Sequence, residues 1–414
     1  MDIKPFKALL PEKTLVEKIV CPPYDVVTRQ QVKEIIAKNP FSFLKITRAD
    51  GELDEKISEY SDEVYKKARE NLISFIKNKI LNFDTSPSFY LISQTYNGKT
   101  QNGIYCLLRC RDYENGVIKR HELTRKEKEE DRTRHIFVTK ADTGPVFLFF
   151  KETKEYKKII LEIKKKEPLY SFKSEDEVKH NLWKISQFDE IILLQNYFKN
   201  IKNFYIADGH HRAASAVNVW KQMGKPSNSP YSYFMGVVFP SDELTIMPYN
   251  RVITDLGELS ELDFIKKVKE NFNLKETIDP FMVKKGEIGM FFGGKKYILK
   301  LKNKHQINNP LEKLDVSILH NYLLDPILGI KEPRTSDKIQ FIGGKNATKI
   351  QTNIINERKA AIAFFLHPVK IEEIMEISDL NEVMPPKSTW FEPKIKDGLV
   401  TYIFEENLSI SSQL

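Results

Sequence analysis

A chain of 414 residues, with 41% hydrophobic and 11% aromatic content, exceeds one ordinary domain and can bury more than one core, so two or three domains are expected. Its net charge of +8 arises from 65 basic against 57 acidic residues, much of the excess in lysine-rich helical stretches such as Lys151 to Lys166. Without interleaved aromatics these read as solvated helix faces and argue against a nucleic-acid surface. Cys21, Cys106 and Cys110 form neither a CxxC pair nor a zinc-spaced cluster, and no apolar run approaches the roughly 18 residues of a membrane span. A cytoplasmic protein with no membrane partner is expected.

In chain order, the Pro-rich turn Cys21-Pro22-Pro23-Tyr24-Asp25 precedes Thr28, which is placed to cap a helix through Ile36. A long amphipathic helix is expected near Asp54 to Ile80. Ser88 to Tyr96 and Gly103 to Arg111 flank Asn97-Gly98, the strongest short hairpin signal available. Arg120 to His135 is charge-dense with helical composition and few core residues, and Gly144-Pro145 ends it. Val146 to Phe150 reads as a buried strand, helices follow around 152–166 and 187–200, and a second strand covers Phe204 to Ala207. Arg212 to Met223 reads as a helix stopped by Gly224, and Tyr231 to Phe239 as a strand. Beyond these lie a hairpin signal at Gly293-Gly294, an apolar helix near Leu314 to Leu328, a strand at Ala360 to Leu366 and a Pro-punctuated stretch from Pro385 to Pro393.

The residues that point to chemistry are Asp208-Gly209-His210-His211-Arg212, set where a short apolar strand gives way to a helix. Unpaired amides and the positive dipole end at a helix amino terminus make an anion site. Gly209 lets backbone approach a ligand, and Arg212 offers a planar fork suited to phosphate oxygens. His210 and His211 can donate to phosphate, while Asp208 can orient one of them or hold a metal-bound water. The plain alternative is a capped turn with two structural histidines.

A second polar group surrounds Glu122, which lies beside His121 and among Arg120, Arg125 and Arg132, cations that keep a carboxylate ionised. Such a carboxylate can take a proton from a hydroxyl; exposed helix pairs are the competing reading. Tyr24 and Asp25 follow two prolines that hold extended backbone and can direct both side chains into a cleft. Lys387-Ser388-Thr389 offers one charge and two hydroxyls on a Pro-flanked loop that could close over an anion. P-loop, protein-kinase, Gly-x-Ser-x-Gly and His-Glu-x-x-His signatures are absent, as is any protein metal site.

The Asp208 loop resembles the phosphate-binding loop of the ParB and sulfiredoxin-like superfamily, whose free serine kinases carry a matching Asp-Gly-His-His-Arg. Nearly the whole chain is similar to domain of unknown function 1015, also labelled SpoOJ/ParB-like. The similarity runs through Pro22-Pro23-Tyr24-Asp25-Val26-Val27, His121-Glu122-Leu123-Thr124, Lys128 to Arg132, the Asp208 loop, Pro386-Lys387-Ser388-Thr389, Phe391, Pro393 and Lys394. His121-Glu122-Leu123-Thr124 is also similar to the serine-kinase segment whose glutamate is the base, although about 85 residues separate it here from the Asp208 loop.

The resemblance implies an α+β fold with a ParB/sulfiredoxin-like central unit over 111–255, an amino-terminal lobe over 1–110 and a carboxy-terminal lobe over 256–414. It implies a small-molecule kinase using ATP or ADP with Mg2+ on a hydroxylated metabolite, free serine being one candidate. Glu122, His121 and Asp208 are then the catalytic residues. Gly209, His210, His211, Arg212, Arg132 and Lys387 hold nucleotide phosphates, and Tyr24, Asp25, Thr124, Ser388 and Thr389 contact the acceptor. A ParB-like nucleotide-binding switch or hydrolase and a non-catalytic anion or nucleic-acid binder are the rival readings, and no helix-turn-helix or basic recognition helix supports DNA binding.

Overall fold

The computed structural model describes residues 1–303, 306–344, 347–357 and 360–405. It is a mixed α/β protein with several sheets. Contact density divides the chain differently from a linear three-part reading, into two compact units each assembled from separate segments. Unit 1 comprises Met1–Arg120, Thr124–Leu244 and the described residues from Pro393 onward; unit 2 comprises His121–Leu123 and Thr245–Glu392.

Unit 1 is built on an eight-stranded mixed sheet in the order Ile118–Lys119, Phe204–Asp208, Val146–Phe150, Tyr233–Pro240, Lys99–Arg109, Phe89–Tyr96, Lys179–Ile185, Tyr170–Lys173. Its central strands Val146–Phe150 and Tyr233–Pro240 are buried along their whole length and pair in parallel, as continuous apolar runs require. The expected Asn97-Gly98 turn joins Phe89–Tyr96 to Lys99–Arg109, with Tyr96 opposite Lys99 and both turn residues at positive φ.

One face of this sheet is covered by Lys154–Ile163 and Phe188–Lys199, locked to it by Phe150, which stands edge-on to Tyr156 and Phe198 at centroid distances of 5.0 and 5.3 Å. Elsewhere His210–Gln222 packs on the two central strands, Lys126–Thr139 lies along that helix, and Asp62–Lys77 lies along Lys126–Thr139. Lys126–Thr139, whose composition predicts few core residues, buries mostly polar groups, among them Asp131, Arg132, Thr133 and His135. A four-stranded sheet, in the order Leu81–Phe83, Ala8–Pro11, Thr401–Ile403, Ala141–Asp142, ties the chain beyond Pro393 into this unit.

Thr28 caps Arg29–Lys38 as expected, its Oγ1 accepting from the Gln31 amide while Gln31 Oε1 accepts from the Thr28 amide. The helix anticipated over 54–80 is shorter, Asp62–Lys77, because Ala49–Glu52 forms a 3-10 turn and the residues after it are looped around Arg29. The hairpin of Tyr170–Lys173 with Lys179–Ile185 carried no Gly or Pro signal; Glu177 takes the left-handed position.

Unit 2 holds a six-stranded antiparallel sheet in the order Phe272–Glu276, Lys295–Leu301, Ile288–Phe292, Ile362–Leu366, Tyr249–Ile253, Ile339–Gly343. Gly293 and Gly294 turn the chain between Phe292 and Lys295, as their positive φ allows. The apolar stretch near 314–328 is a short helix, Asp315–Leu319, that widens into a π turn over His320–Leu324. A small ribbon pairs Thr245–Met247 with Trp390–Glu392.

Candidate phosphate site

The site begins with a change of backbone direction at the end of strand Phe204–Asp208. Gly209, at φ 95°, sits in the left-handed region and starts helix His210–Gln222. Glycine is required there twice over, because a Cβ would also lie 3.0 Å from Arg212 Nε. The helix runs 13 residues, so its first amides and dipole provide a full anion-attracting terminus.

A second helix terminus meets it. His211 Nε2 accepts from the Arg125 amide at 3.0 Å, and Arg125 is the residue before helix Lys126–Thr139. That bond places the ring proton of a neutral His211 on Nδ1. The two helices are cross-linked by Glu129, whose carboxylate accepts from Thr124 Oγ1 at 2.6 Å and Asn218 Nδ2 at 2.5 Å and whose carbonyl accepts from Ser215 Oγ at 2.9 Å. Thr124, expected at the acceptor, therefore has its hydroxyl engaged in this cross-link.

Asp208 bridges two cations, with Oδ2 2.8 Å from Arg212 NH2 and Oδ1 3.1 Å from Lys394 Nζ. Arg212 is 5% exposed, and its NH1 donates to the Pro145 carbonyl. The guanidinium thus shapes the loop from below. Lys394 is 13% exposed at its side chain and is held by its own backbone: Gln94 Nε2 donates to the Lys394 carbonyl at 3.1 Å, and Gln101 Nε2 donates to Gln94 Oε1 at 2.8 Å. Sequence reasoning assigned Lys394 no role, and only the Pro393-Lys394 match pointed to it.

Two buried carboxyls flank Arg212. Burial pushes Asp397 up to about 7 against the pull of Arg212, with Asp25 adding to the rise. Among the described residues neither Asp397 oxygen has a hydrogen-bond partner of ordinary geometry, and a Cβ on Gly144 would lie 3.2 Å from Oδ1. Burial likewise pushes Asp142 up to about 7, although the Met235 amide donates to it at 2.8 Å. Neither aspartate carries a sequence signal.

Beside the loop a cavity of about 260 Å³ is lined by Tyr24, Asp25, Thr47, Arg48, Lys128 and Arg132, among others. Arg212 lies within electrostatic reach of Asp25 and Tyr24, which connects cavity and loop. Arg132 is 8% exposed: Nε and NH2 grip Asp131 at 2.8 and 3.2 Å, NH1 donates to the Thr47 carbonyl at 3.1 Å, and the guanidinium stacks 4.3 Å from the Tyr24 ring centre. The structure therefore brings Tyr24, Asp25, Arg132, Thr124 and Asp208 to Arg212 together within unit 1.

The other expected residues belong to unit 2. There His121 Nε2 lies 3.2 Å from Thr389 Oγ1, and the Met384 amide donates to the His121 carbonyl. Ser388 Oγ donates to the Pro385 carbonyl at 2.5 Å, and Lys387 takes the left-handed conformation at φ 55°. Glu122 is half-buried between His121 and the exposed Leu123.

The family described as protein of unknown function (DUF1015) matches residues 3–317. The chain belongs to this family. Among solved structures, the DUF1015 chain is similar to a free serine kinase in complex with AMP, at 15% identity and TM-score 0.37, over 69% of this chain and 86% of that one. It is also similar to SbnI with a C-terminal truncation from Staphylococcus aureus, at 12% identity and TM-score 0.37, over 71% and 85% of the two chains. A conserved hypothetical protein from Pyrococcus furiosus matches at 14% identity and TM-score 0.36, over 71% and 93%. No curated protein matches. Among the described residues no helix is long and apolar enough to cross a membrane, and no group of three or more His, Cys, Asp or Glu side chains is placed to hold a metal ion.

Proposed function

We propose that this DUF1015 protein binds the phosphates of a nucleotide, ATP or ADP, at Asp208 to Arg212 and transfers a phosphoryl group to the hydroxyl of a small metabolite. One observation carries the reading: the Arg125 amide, at the start of helix Lys126–Thr139, donates to His211 in the first turn of helix His210–Gln222, so two helix amino termini lie side by side at the Gly209 loop. The ParB/sulfiredoxin-like resemblance of the Asp-Gly-His-His-Arg loop supports the same assignment.

In this reading the first amides of His210–Gln222 and the His210 and His211 rings receive phosphate oxygens. Lys394 adds the positive charge that stabilises the transition state, swinging between Asp208 and the terminal phosphate. Arg212 keeps Asp208 and Gly209 in shape. The acceptor hydroxyl oxygen attacks the terminal phosphorus, the bond from phosphorus to the bridging oxygen breaks, and the hydroxyl proton passes to a carboxylate. Glu122 is that base by its similarity to the serine-kinase segment, with His121 beside it in sequence. The described side chains provide no three-ligand metal set, so Mg2+ would travel on the nucleotide phosphates, and no step here is assigned to it.

Two measurements test the reading. Calorimetry with ATP, ADP and AMP should show binding that Arg212→Ala weakens severely; a native protein without nucleotide affinity ends the proposal. Glu122→Gln should lower phosphoryl transfer by roughly 100-fold or more while nucleotide affinity stays near native. Full activity in that variant would move the base elsewhere, with Asp25 the next candidate.

A further inference from the structure

The cavity next to the phosphate loop contains Arg29, Arg48, Lys128 and Arg132, and at first sight invites a second anion. Its arginines are already committed. Arg29 donates to the Asp50, Ile57 and Asp54 carbonyls at 3.1, 2.8 and 2.9 Å, so it organises the loop over 50–57. Arg48 grips both oxygens of Asp50 at 2.9 and 2.8 Å and donates to the Val27 carbonyl at 2.8 Å. Arg132 is spent on Asp131, Thr47 and the Tyr24 ring. Lys128 pairs with no carboxylate among the described residues, and its Nζ donates to Tyr60 Oη at 2.6 Å.

The acceptors are in the opposite condition. Asp25 is exposed to the cavity, and no described residue hydrogen-bonds its carboxylate. Glu59 approaches Arg48 at 3.6 Å and lies beside the Tyr60 hydroxyl. Thr47 lines the cavity, but its hydroxyl is sealed from solvent and lies against the Cys21 thiol. An acceptor-rich wall with its guanidinium donors consumed is complementary to a ligand that brings donors.

We infer that this cavity is the acceptor pocket and that the acceptor is a hydroxylated compound carrying a protonated amine, its ammonium group held by Asp25 and Glu59 and its hydroxyls by Lys128. The inference rests on the phosphoryl-transfer reading for its purpose, but the pocket's preference for an ammonium group follows from the hydrogen-bond accounting alone. A volume of about 260 Å³ corresponds to roughly nine waters at about 30 Å³ each, room for a sugar-sized molecule.

Glucosamine, glucose and gluconate share one carbon skeleton and differ in charge, so calorimetry with the three probes on the full chain, without nucleotide, tests the pocket separately from the loop. Glucosamine should bind, glucose more weakly by roughly 10- to 100-fold, and gluconate weakest. Asp25→Asn should remove most of the glucosamine preference, and Glu59→Gln should do so in part. Equal affinities, tighter gluconate, no glucosamine binding, or native glucosamine affinity in Asp25→Asn overturns the inference. Glucosamine binding that depends on Asp25 in a protein without nucleotide affinity would sink the phosphate reading and leave the pocket assignment intact.

Discussion

Each unit buries an arginine, and the two are treated oppositely. Arg212 in unit 1 is 5% exposed, is paired with Asp208 at 2.8 Å, and has Asp25 and Asp397 within reach, so its charge is held more firmly than usual. Arg251 in unit 2 is 2% exposed and donates to the Tyr249 and Pro386 carbonyls, with the Phe341 ring centre at 5.3 Å. No described carboxylate pairs with Arg251, and burial pushes its guanidinium down to about 9. Burial of a cation is therefore a structural device in unit 2, whereas in unit 1 it anchors a cluster of charges that lies at the candidate site.

Replacement by a hydrophobe of similar length should expose this difference most strongly. Arg212→Met leaves Asp208, Asp397 and Asp142 facing a lost cation and should cost about 3 to 5 kcal/mol in unfolding free energy, whereas Arg251→Met should stay within about 1 kcal/mol. Equal losses in denaturant unfolding would erase the contrast.

The next effect is pH-dependent and belongs to unit 1. Folding raises Asp397 and Asp142 to about 7 from the ordinary carboxylate value of 3.8. Between those limits the folded chain keeps protons that the unfolded chain has released, so their contribution to stability falls as pH rises through the window. Asp397→Asn cannot ionise and should gain on the native protein between pH 5 and pH 8, on the order of a few kcal/mol, read as the difference in Tm at the two pH values. A gap that does not change with pH would show that Asp397 titrates normally.

The smallest contrast compares two glycines at positive φ. Gly209→Ala meets both the strained backbone and Arg212, and should cost about 1 to 3 kcal/mol together with nucleotide affinity. Gly293→Ala in the unit 2 hairpin has its nearest neighbour, Glu261, at 3.4 Å and should cost about 1 kcal/mol without touching nucleotide binding. Calorimetry on both variants checks this, and a binding loss in Gly293→Ala would contradict the separation.

Local chemistry was legible in the residues themselves. Asn97-Gly98 specified a hairpin because few other pairs accept two positive φ angles, Thr28 specified a helix start because its hydroxyl matches the Gln31 amide, and Asp208 to Arg212 specified a strand-to-helix turn. What each side chain does inside that loop was decided by partners far away in sequence. Arg212 reads as a phosphate fork until the Pro145 carbonyl and Asp208 take its NH1 and NH2, and Arg132 reads as a phosphate binder until Asp131 and the Thr47 carbonyl hold it. Lys394 reaches Asp208 across 186 residues, and Asp397 acquires its raised affinity for a proton only through burial, with Asp25 nearby and against the pull of Arg212. Spacing encodes turns, caps and periodicity because those interactions span a few residues. Hydrogen-bond saturation and desolvation depend on which distant groups share a volume, and that only the tertiary structure decides.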